Sequence, residues 1–173
     1  MDAVVYFAHG KESGPWGSKI TYLARIAGEH GLDVVSPDYS QHSHGHDRLS
    51  ALLALLAEEA RPFLLVGSSM GGWVSAMAAC RVPPLGLFLM APAFDMPEHD
   101  TATLPADVPS WLVHGWEDDI VPVDQSINAA RERSGHLLLV PDGHALAGSA
   151  RAIRRHFRHF LNECVSEKID STP

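Results

Sequence analysis

The middle of the chain reads Phe63-Leu64-Leu65-Val66-Gly67-Ser68-Ser69-Met70-Gly71-Gly72, and the rest of the fold is arranged around these ten residues. Phe63 to Val66 form an apolar run of the length and composition of a buried strand. After Gly72, the residues Trp73, Ala76, Met77 and Cys80 recur at helical spacing. The segment therefore predicts a buried strand that passes through a Gly/Ser turn directly into a helix.

The turn has the pattern Gly-x-Ser-x-Gly centred on Ser69. A tight strand-to-helix turn presses the residues two before and two after its centre against backbone, so both must be small. Ser68 has no such glycine pair around it. The turn lifts the central hydroxyl above the sheet edge and directs the following N–H, that of Met70, toward it. We predict that Ser69 is a nucleophile; the alternative is a turn that only packs a helix closely against a strand.

The flanking sequence alternates apolar runs with segments of helical periodicity. Six short apolar runs joined by helical crossovers favour an α/β fold, a parallel sheet with helices on both faces. We predict one domain over residues 1–164 and a polar tail over 165–173. The predicted strands are 3–8, 32–35, 63–66, 85–90, 111–114 and 137–140, and the predicted helices cover 20–27, 49–56 and 73–80 and begin near Val123 and Ala147.

The composition is that of a globular chain of 173 residues, with 46% hydrophobic residues, 20% charged residues and a formal net charge of −8. The negative charge argues against a nucleic acid or an anionic membrane surface as partner. No apolar run approaches the roughly 18 residues of a membrane span, and no signal peptide precedes the first strand. Cys80 and Cys164 are predicted to be buried or half-buried thiols in a reducing compartment, so we expect a cytoplasmic protein.

A serine hydroxyl needs a base, and the base needs a group that orients it. Two loops that follow predicted strands at the same sheet edge as Ser69 carry such residues. One loop contains Glu117, Asp118 and Asp119, and the other ends in His144. The three acidic residues compete on chemistry alone. His144 is the predicted base.

These motifs resemble the α/β-hydrolase superfamily, in particular the small lidless bacterial serine esterases, over nearly the whole chain. His114-Gly115-Trp116-Glu117-Asp118-Asp119-Ile120-Val121-Pro122 resembles the acid loop H-G-x-x-D-x-x-V-P, which implies that Asp118 is the acid. Some members of the superfamily place the acid after the fourth strand, which makes Asp95 an alternative. Gly143-His144-Ala145-Leu146 resembles the histidine loop. His9-Gly10-Lys11 resembles the H-G-x oxyanion segment, which implies that the backbone N–H groups of Met70 and Lys11 form an oxyanion hole.

The resemblance implies a six-stranded sheet of order 2-1-3-4-5-6, a three-layer α/β/α sandwich without a lid. It also implies hydrolysis of small carboxylic esters through an acyl-enzyme, with no cofactor. A thioesterase, an amidase and a non-catalytic protein-binding member of the fold remain alternatives. The sequence carries no signal for an oligomeric state.

Several conspicuous aromatic and histidine residues have other expected roles. Trp16 and Trp116, on loops at the predicted edge, are candidates for the substrate pocket. His9 and His114 are expected to form structural hydrogen bonds. His156 and His159 lie among arginines and are expected on the exposed face of the last helix. We predict no metal site, since a solvated loop accounts better than a metal for the cluster of His42, His44 and His46 with Asp47.

Overall fold

The structure, a computed structural model, describes residues 2–166. Its strands are short apolar segments, as the sequence predicts. They are β1 (Val4–Ala8), β2 (Asp33–Val35), β3 (Phe63–Ser68), β4 (Leu87–Met90), β5 (Ser110–Gly115) and β6 (His136–Val140).

The six strands form one sheet of order β2-β1-β3-β4-β5-β6, and every neighbouring pair is parallel. The predicted fold class and strand order are confirmed. Because all strands run in the same direction, the loops that follow β1, β3, β5 and β6 leave the sheet at one edge. The loops that carry Lys11, Ser69, Asp118 and His144 are among them.

Helices cover both faces of the sheet, because successive strand residues point to opposite sides. The helices are α1 (Ser18–Glu29), α2 (Gly45–Ala57), α3 (Met70–Ala79), α4 (Asp124–Arg133) and α5 (Ala150–Ser166). In β1, Val5 and Phe7 belong to the core beneath α1 and α5, whereas Val4 and Tyr6 belong to the core beneath α2, α3 and α4. No helix within residues 2–166 is long and apolar enough to cross a membrane.

A few element boundaries differ from the sequence-based prediction. Helix α2 begins at Gly45, four residues earlier than predicted. The segment Ala147–Ser149 is a 3-10 turn, and α5 begins only after it. Helix α5 also includes residues 165 and 166 of the predicted tail, and the rest of that tail lies outside the described residues. Cys80 is exposed rather than buried, because α3 ends there and its side chain faces outward.

His156 does not lie on the exposed face of α5, contrary to the prediction. Its ring packs 4.6 Å from the Trp111 ring and 5.8 Å from the Phe88 ring, while His159 is exposed. Burial, together with the neighbouring His136, lowers the pKa of His156 to about 4. The histidine is therefore held neutral between a helix and the sheet.

We expect His156 to make the protein less stable as the pH falls from 7 to 5. An unfolded histidine titrates near 6.5, so between that pH and about 4 the unfolded chain binds more protons and stability rises with pH. Between pH 7 and pH 5, His156 should lower the free energy of unfolding by about 2 kcal/mol. His156→Gln should flatten the pH dependence of the melting temperature, and His159→Gln should not. Equal pH slopes in all three proteins would contradict the assignment.

Candidate active site

The turn at Ser69 has the geometry that its two glycines permit. Ser69 has φ 55° and ψ −120°, a region that residues with a side chain rarely adopt. A Cβ atom on Gly67 would lie 2.3 Å from the carbonyl oxygen of Gly71, and one on Gly71 would lie 1.9 Å from that of Ala8. Both positions are therefore restricted to glycine, and the strained turn is held between β1 and α3.

Met70 is the first residue of α3, so its N–H belongs to the first helical turn and has no carbonyl partner within the helix. Ser69 itself is anchored by its backbone. Its N–H donates to the carbonyl of Met90 at 3.0 Å, and its carbonyl accepts from Ala93 and Gly72. The hydroxyl is thus presented at the sheet edge beside an available N–H donor.

His144 joins Ser69 to Asp118. Its Nδ1 lies 2.7 Å from Asp118 Oδ2, and its Nε2 lies 2.9 Å from Ser69 Oγ. Because the carboxylate accepts only, Nδ1 carries the proton and Nε2 accepts from the hydroxyl. The structure therefore brings together the three side chains that the sequence singled out, from the loops after β3, β5 and β6. We refer to them as the Ser69–His144–Asp118 chain.

Four donors surround the carboxylate of Asp118, whose side chain is fully buried. Oδ1 accepts from the N–H groups of Ile120 at 2.9 Å and Val121 at 2.8 Å. Oδ2 accepts from His144 and also lies 3.0 Å from His114 Nε2. Burial by itself raises the pKa of Asp118, but the hydrogen bonds outweigh it and the net pKa is lowered. Asp118 is therefore ionised at neutral pH.

His114 is the second histidine on Asp118, and it is fully buried. Its Nε2 faces two acceptors, Asp118 Oδ2 and the carbonyl of Val121, each at 3.0 Å, so this nitrogen carries the proton. Nδ1 then accepts from the Ser126 hydroxyl at 2.7 Å. Burial lowers the pKa of His114, which keeps the ring neutral. The predicted structural hydrogen bonding of His114 is confirmed.

His9 fastens the loop that follows β1. Its Nε2 accepts from the N–H of Tyr39 at 3.0 Å, so Nδ1 carries the proton and donates to the carbonyl of Gly10 at 2.8 Å. A Cβ atom on Gly10 would lie 3.5 Å from Ser69 Cβ. The loop therefore passes directly against the turn that carries Ser69, and Lys11 follows at its exposed end.

A cavity of about 470 Å³ opens above Ser69 and His144. Both ionic and apolar side chains line it. Lys19 is one of the ionic residues, and its Nζ donates to the carbonyl of Ala145, in the loop that carries His144, at 2.9 Å. The apolar wall consists of Met70, Ala93, Met96, Pro97, Ile120 and Val121, and the polar residues include Lys11, Glu12, Lys19, Asp95 and Gln125.

Trp16 and Trp116 do not line this cavity, contrary to the prediction for the pocket. Each is 56% exposed, because its loop carries the side chain outward from the sheet edge. Met96 and Ile120 also line the cavity, although the sequence did not single them out. Each follows an acidic residue, Asp95 or Asp119, in a loop that leaves the sheet at the edge of Ser69, and this placement was the available signal.

The competing acidic residues lie elsewhere. Glu117 and Asp119 are exposed. The backbone N–H of Asp95 donates to Gln125 Oε1, and its carboxylate accepts from the Thr101 hydroxyl at 3.4 Å. None of the three contacts His144 in the way that Asp118 does.

The histidines after β2 have different surroundings. His44 precedes α2 at an exposed position, whereas His46 stacks on His99 at 5.0 Å. Over residues 2–166, no group of three or more His, Cys, Asp or Glu side chains is arranged to hold a metal ion.

A parallel sheet of this order, with Ser69 at a strained turn after β3 and acid and histidine loops after later strands, defines the α/β-hydrolase fold. The model of the Alpha/beta hydrolase family matches residues 5–163. The chain therefore belongs to this family, as its motifs predict.

Comparison with solved structures gives the same family. A protein from Xanthomonas campestris pv. campestris, assigned to the alpha/beta superfamily of hydrolases, is 34% identical, with a TM-score of 0.87 over 94% of this chain and 99% of that chain. A second Xanthomonas campestris protein, described as an α/β serine hydrolase without lid, is 22% identical, with a TM-score of 0.75 over 99% and 84%. Est1E from Butyrivibrio proteoclasticus is 16% identical, with a TM-score of 0.77 over 95% and 88%. The last two structures are less than 25% identical and show the fold alone. The comparison with curated proteins gave no match.

Proposed function

We propose that the protein is a serine hydrolase that cleaves small carboxylic esters through an acyl-enzyme intermediate. The observation that carries this proposal is the Ser69–His144–Asp118 chain, with contacts of 2.9 and 2.7 Å, at the floor of an open cavity. Nucleophile and base are within hydrogen-bond reach, and the base is oriented by a buried carboxylate. This is the arrangement that activates a serine hydroxyl.

In the proposed reaction, Ser69 Oγ attacks the ester carbonyl carbon while His144 Nε2 takes the hydroxyl proton. The tetrahedral intermediate collapses when His144 returns that proton to the leaving alcohol, and the C–O bond to the alcohol breaks. Water then attacks the acyl-enzyme with His144 again as base, which releases the acid and restores Ser69. Asp118 holds the Nδ1–H tautomer and stabilises the imidazolium in both steps.

The oxyanion of each intermediate is proposed to bind the backbone N–H groups of Met70 and Lys11. Met70 supplies the unpaired N–H of a helix start, a position that favours negative charge. Donors that face the position of the developing charge stabilise the transition state more than the substrate.

The shape of the cavity supports small or surface-exposed acyl groups. The connection between β4 and β5, residues 91–109, contains neither helix nor strand, which supports a cavity without a helical lid on this side. Apolar side chains such as Ala93, Met96 and Ile120 line the cavity and suit a short acyl chain. One of the compared Xanthomonas campestris proteins is likewise described as a serine hydrolase without lid.

A fluorophosphonate probe tests the function directly. We expect the protein to gain the mass of one adduct on Ser69, the Ser68→Ala variant to be labelled equally, and the Ser69→Ala variant to remain unlabelled.

A panel of esters tests the substrate class. p-Nitrophenyl acetate and butyrate should be hydrolysed faster than the dodecanoate. A thioester and an anilide of the same acyl group distinguish the esterase from a thioesterase or an amidase. If labelling and turnover are both absent, the protein is a non-catalytic member of the fold.

The ammonium group of Lys11 should contribute little to the reaction on a small ester. Removal of one oxyanion donor costs about 10²–10³ in rate, but Lys11→Ala keeps the N–H that is proposed to act. We expect kcat on p-nitrophenyl acetate to fall by less than about tenfold. A loss near 10³ in a folded variant would show that the side chain takes part.

A further inference from the structure

Arg48 lies in α2 and is 2% exposed, although it carries a charge. Its hydrogen-bond partners are backbone carbonyls. Nη1 donates to His9 at 3.0 Å and to Gly10 at 3.2 Å, and Nε donates to His42 at 2.8 Å. Within residues 2–166 no carboxylate forms an ion pair with this guanidinium. A buried cation is costly unless its donors are well satisfied, so these carbonyl contacts hold both Arg48 and the loop after β1 in place.

The carbonyl of Gly10 accepts from a guanidinium N–H and an imidazole N–H, besides a longer contact of 3.5 Å from the Ser13 hydroxyl. Arg48 Nη1 approaches it at 3.2 Å and His9 Nδ1 at 2.8 Å, and the proton on Nδ1 is ensured by the Tyr39 N–H at Nε2. The same carbonyl belongs to the peptide group whose N–H is that of Lys11. Because this peptide is trans and planar, the Lys11 N–H points away from the side on which the carbonyl is held.

The other side of the loop faces Ser69. A Cβ on Gly10 would lie 3.5 Å from Ser69 Cβ, and both Gly10 and Lys11 line the cavity. Donors on a carbonyl also polarise the peptide and strengthen its N–H as a donor. The contacts of Arg48 thus affect both the direction and the strength of one backbone donor at the site.

We propose that Arg48, assisted by His9, is a positioning residue for the oxyanion hole. It holds the carbonyl of the Gly10–Lys11 peptide, so that the Lys11 N–H of the same peptide points toward Ser69. The proposal rests on the proposed function, because it assigns a support to the donor named there. Arg48 does not touch the substrate. Its effect passes through the peptide group, so it should appear in transition-state stabilisation and not in substrate binding.

Arg48→Met and Arg48→Lys test this proposal, with Arg61→Met as the matched control. Arg61 binds Glu59 and Asp33 at the opposite edge of the sheet. With p-nitrophenyl butyrate, Arg48→Met should lower kcat by about tenfold to a hundredfold, less than complete loss of a donor, with KM within about threefold. Lysine keeps the charge but lacks the fork that reaches several carbonyls, so its loss should be intermediate.

A boronic acid, which forms a tetrahedral adduct on serine, separates positioning from general destabilisation. Its inhibition constant should rise in parallel with the fall in kcat/KM across the Arg48 variants and remain unchanged in Arg61→Met. If folded Arg48 variants keep the wild-type kcat and boronate affinity, the proposal is wrong even though the enzyme is a serine hydrolase. If the wild-type protein neither turns over esters nor reacts with the fluorophosphonate, it is the proposed function that fails.

A crystal structure of the wild-type boronate adduct gives a test that does not depend on the folding of any variant. We expect an adduct oxygen at roughly 2.7–3.1 Å from the Lys11 nitrogen, while the Gly10 carbonyl still accepts from Arg48. A rotated Gly10–Lys11 peptide, or an adduct oxygen bound away from Lys11, would overturn the proposal.

Discussion

Ser69→Ala is expected to reduce kcat on p-nitrophenyl butyrate by about 10⁶-fold, to the level set by substrate binding and the oxyanion donors alone. The reason is chemical, because no acyl-enzyme can form without the hydroxyl that lies 2.9 Å from His144 Nε2. The measurement is steady-state hydrolysis with enzyme titrated by the fluorophosphonate.

Ser68 provides the matched control for Ser69. It is the last residue of β3, directly before Ser69 in the chain, and is 8% exposed, but it has no hydrogen bond with His144. Ser68→Ala should keep most of the activity. Ser69→Gly should be as inactive as Ser69→Ala but at least as stable, because glycine tolerates the φ of 55° at this position. If Ser68→Ala were the inactive variant, the nucleophile would be misassigned.

Asp118→Asn is expected to reduce kcat by about 10⁴-fold while the fold is retained. The surroundings of Asp118 explain the size of the effect. The N–H groups of Ile120 and Val121 both donate to Oδ1, so the amide oxygen of asparagine occupies that place and its NH₂ group faces His144. Nδ1 of His144 must then accept, the ring proton moves to Nε2, and Nε2 can no longer take the proton of Ser69.

Asp119→Asn tests the same assignment on the neighbouring exposed carboxylate and should stay within about tenfold of the wild type. The lowered pKa of Asp118 has a further consequence for stability. The group contributes stability above its unfolded pKa and loses it as the pH falls through the lower folded value. As the pH is lowered into the acidic range, the free energy of unfolding should therefore fall less in Asp118→Asn than in the wild type. An inactive Asp119→Asn or Asp95→Asn variant beside an active Asp118→Asn would show that the acid is misassigned.

Local signals in the sequence were sufficient for the fold class. Apolar runs, helical periodicity and the glycines around Ser69 each depend on near neighbours in the chain, and they predicted the alternation of strands and helices correctly. The strand order came from the resemblance of the acid and histidine loops to a known family. Element boundaries were less exact, as at Gly45 and Ala147, because the start of a helix depends on contacts as well as on propensity.

Tertiary packing determines which side chains meet and which are exposed, and neighbouring residues in the chain cannot specify either. Three adjacent acidic residues are chemically equivalent in the sequence, and only the fold brings Asp118 within 2.7 Å of His144 and His114 within 3.0 Å of the same carboxylate. The exposure of Trp16 and Trp116 depends on where their loops leave the sheet. The contacts of Arg48 with His9 and Gly10 join residues 39 and 38 positions apart, a distance over which periodicity carries no information. Residue types and local pattern thus specify which chemistry is available, whereas long-range packing specifies which atoms meet and which of them are shielded from water.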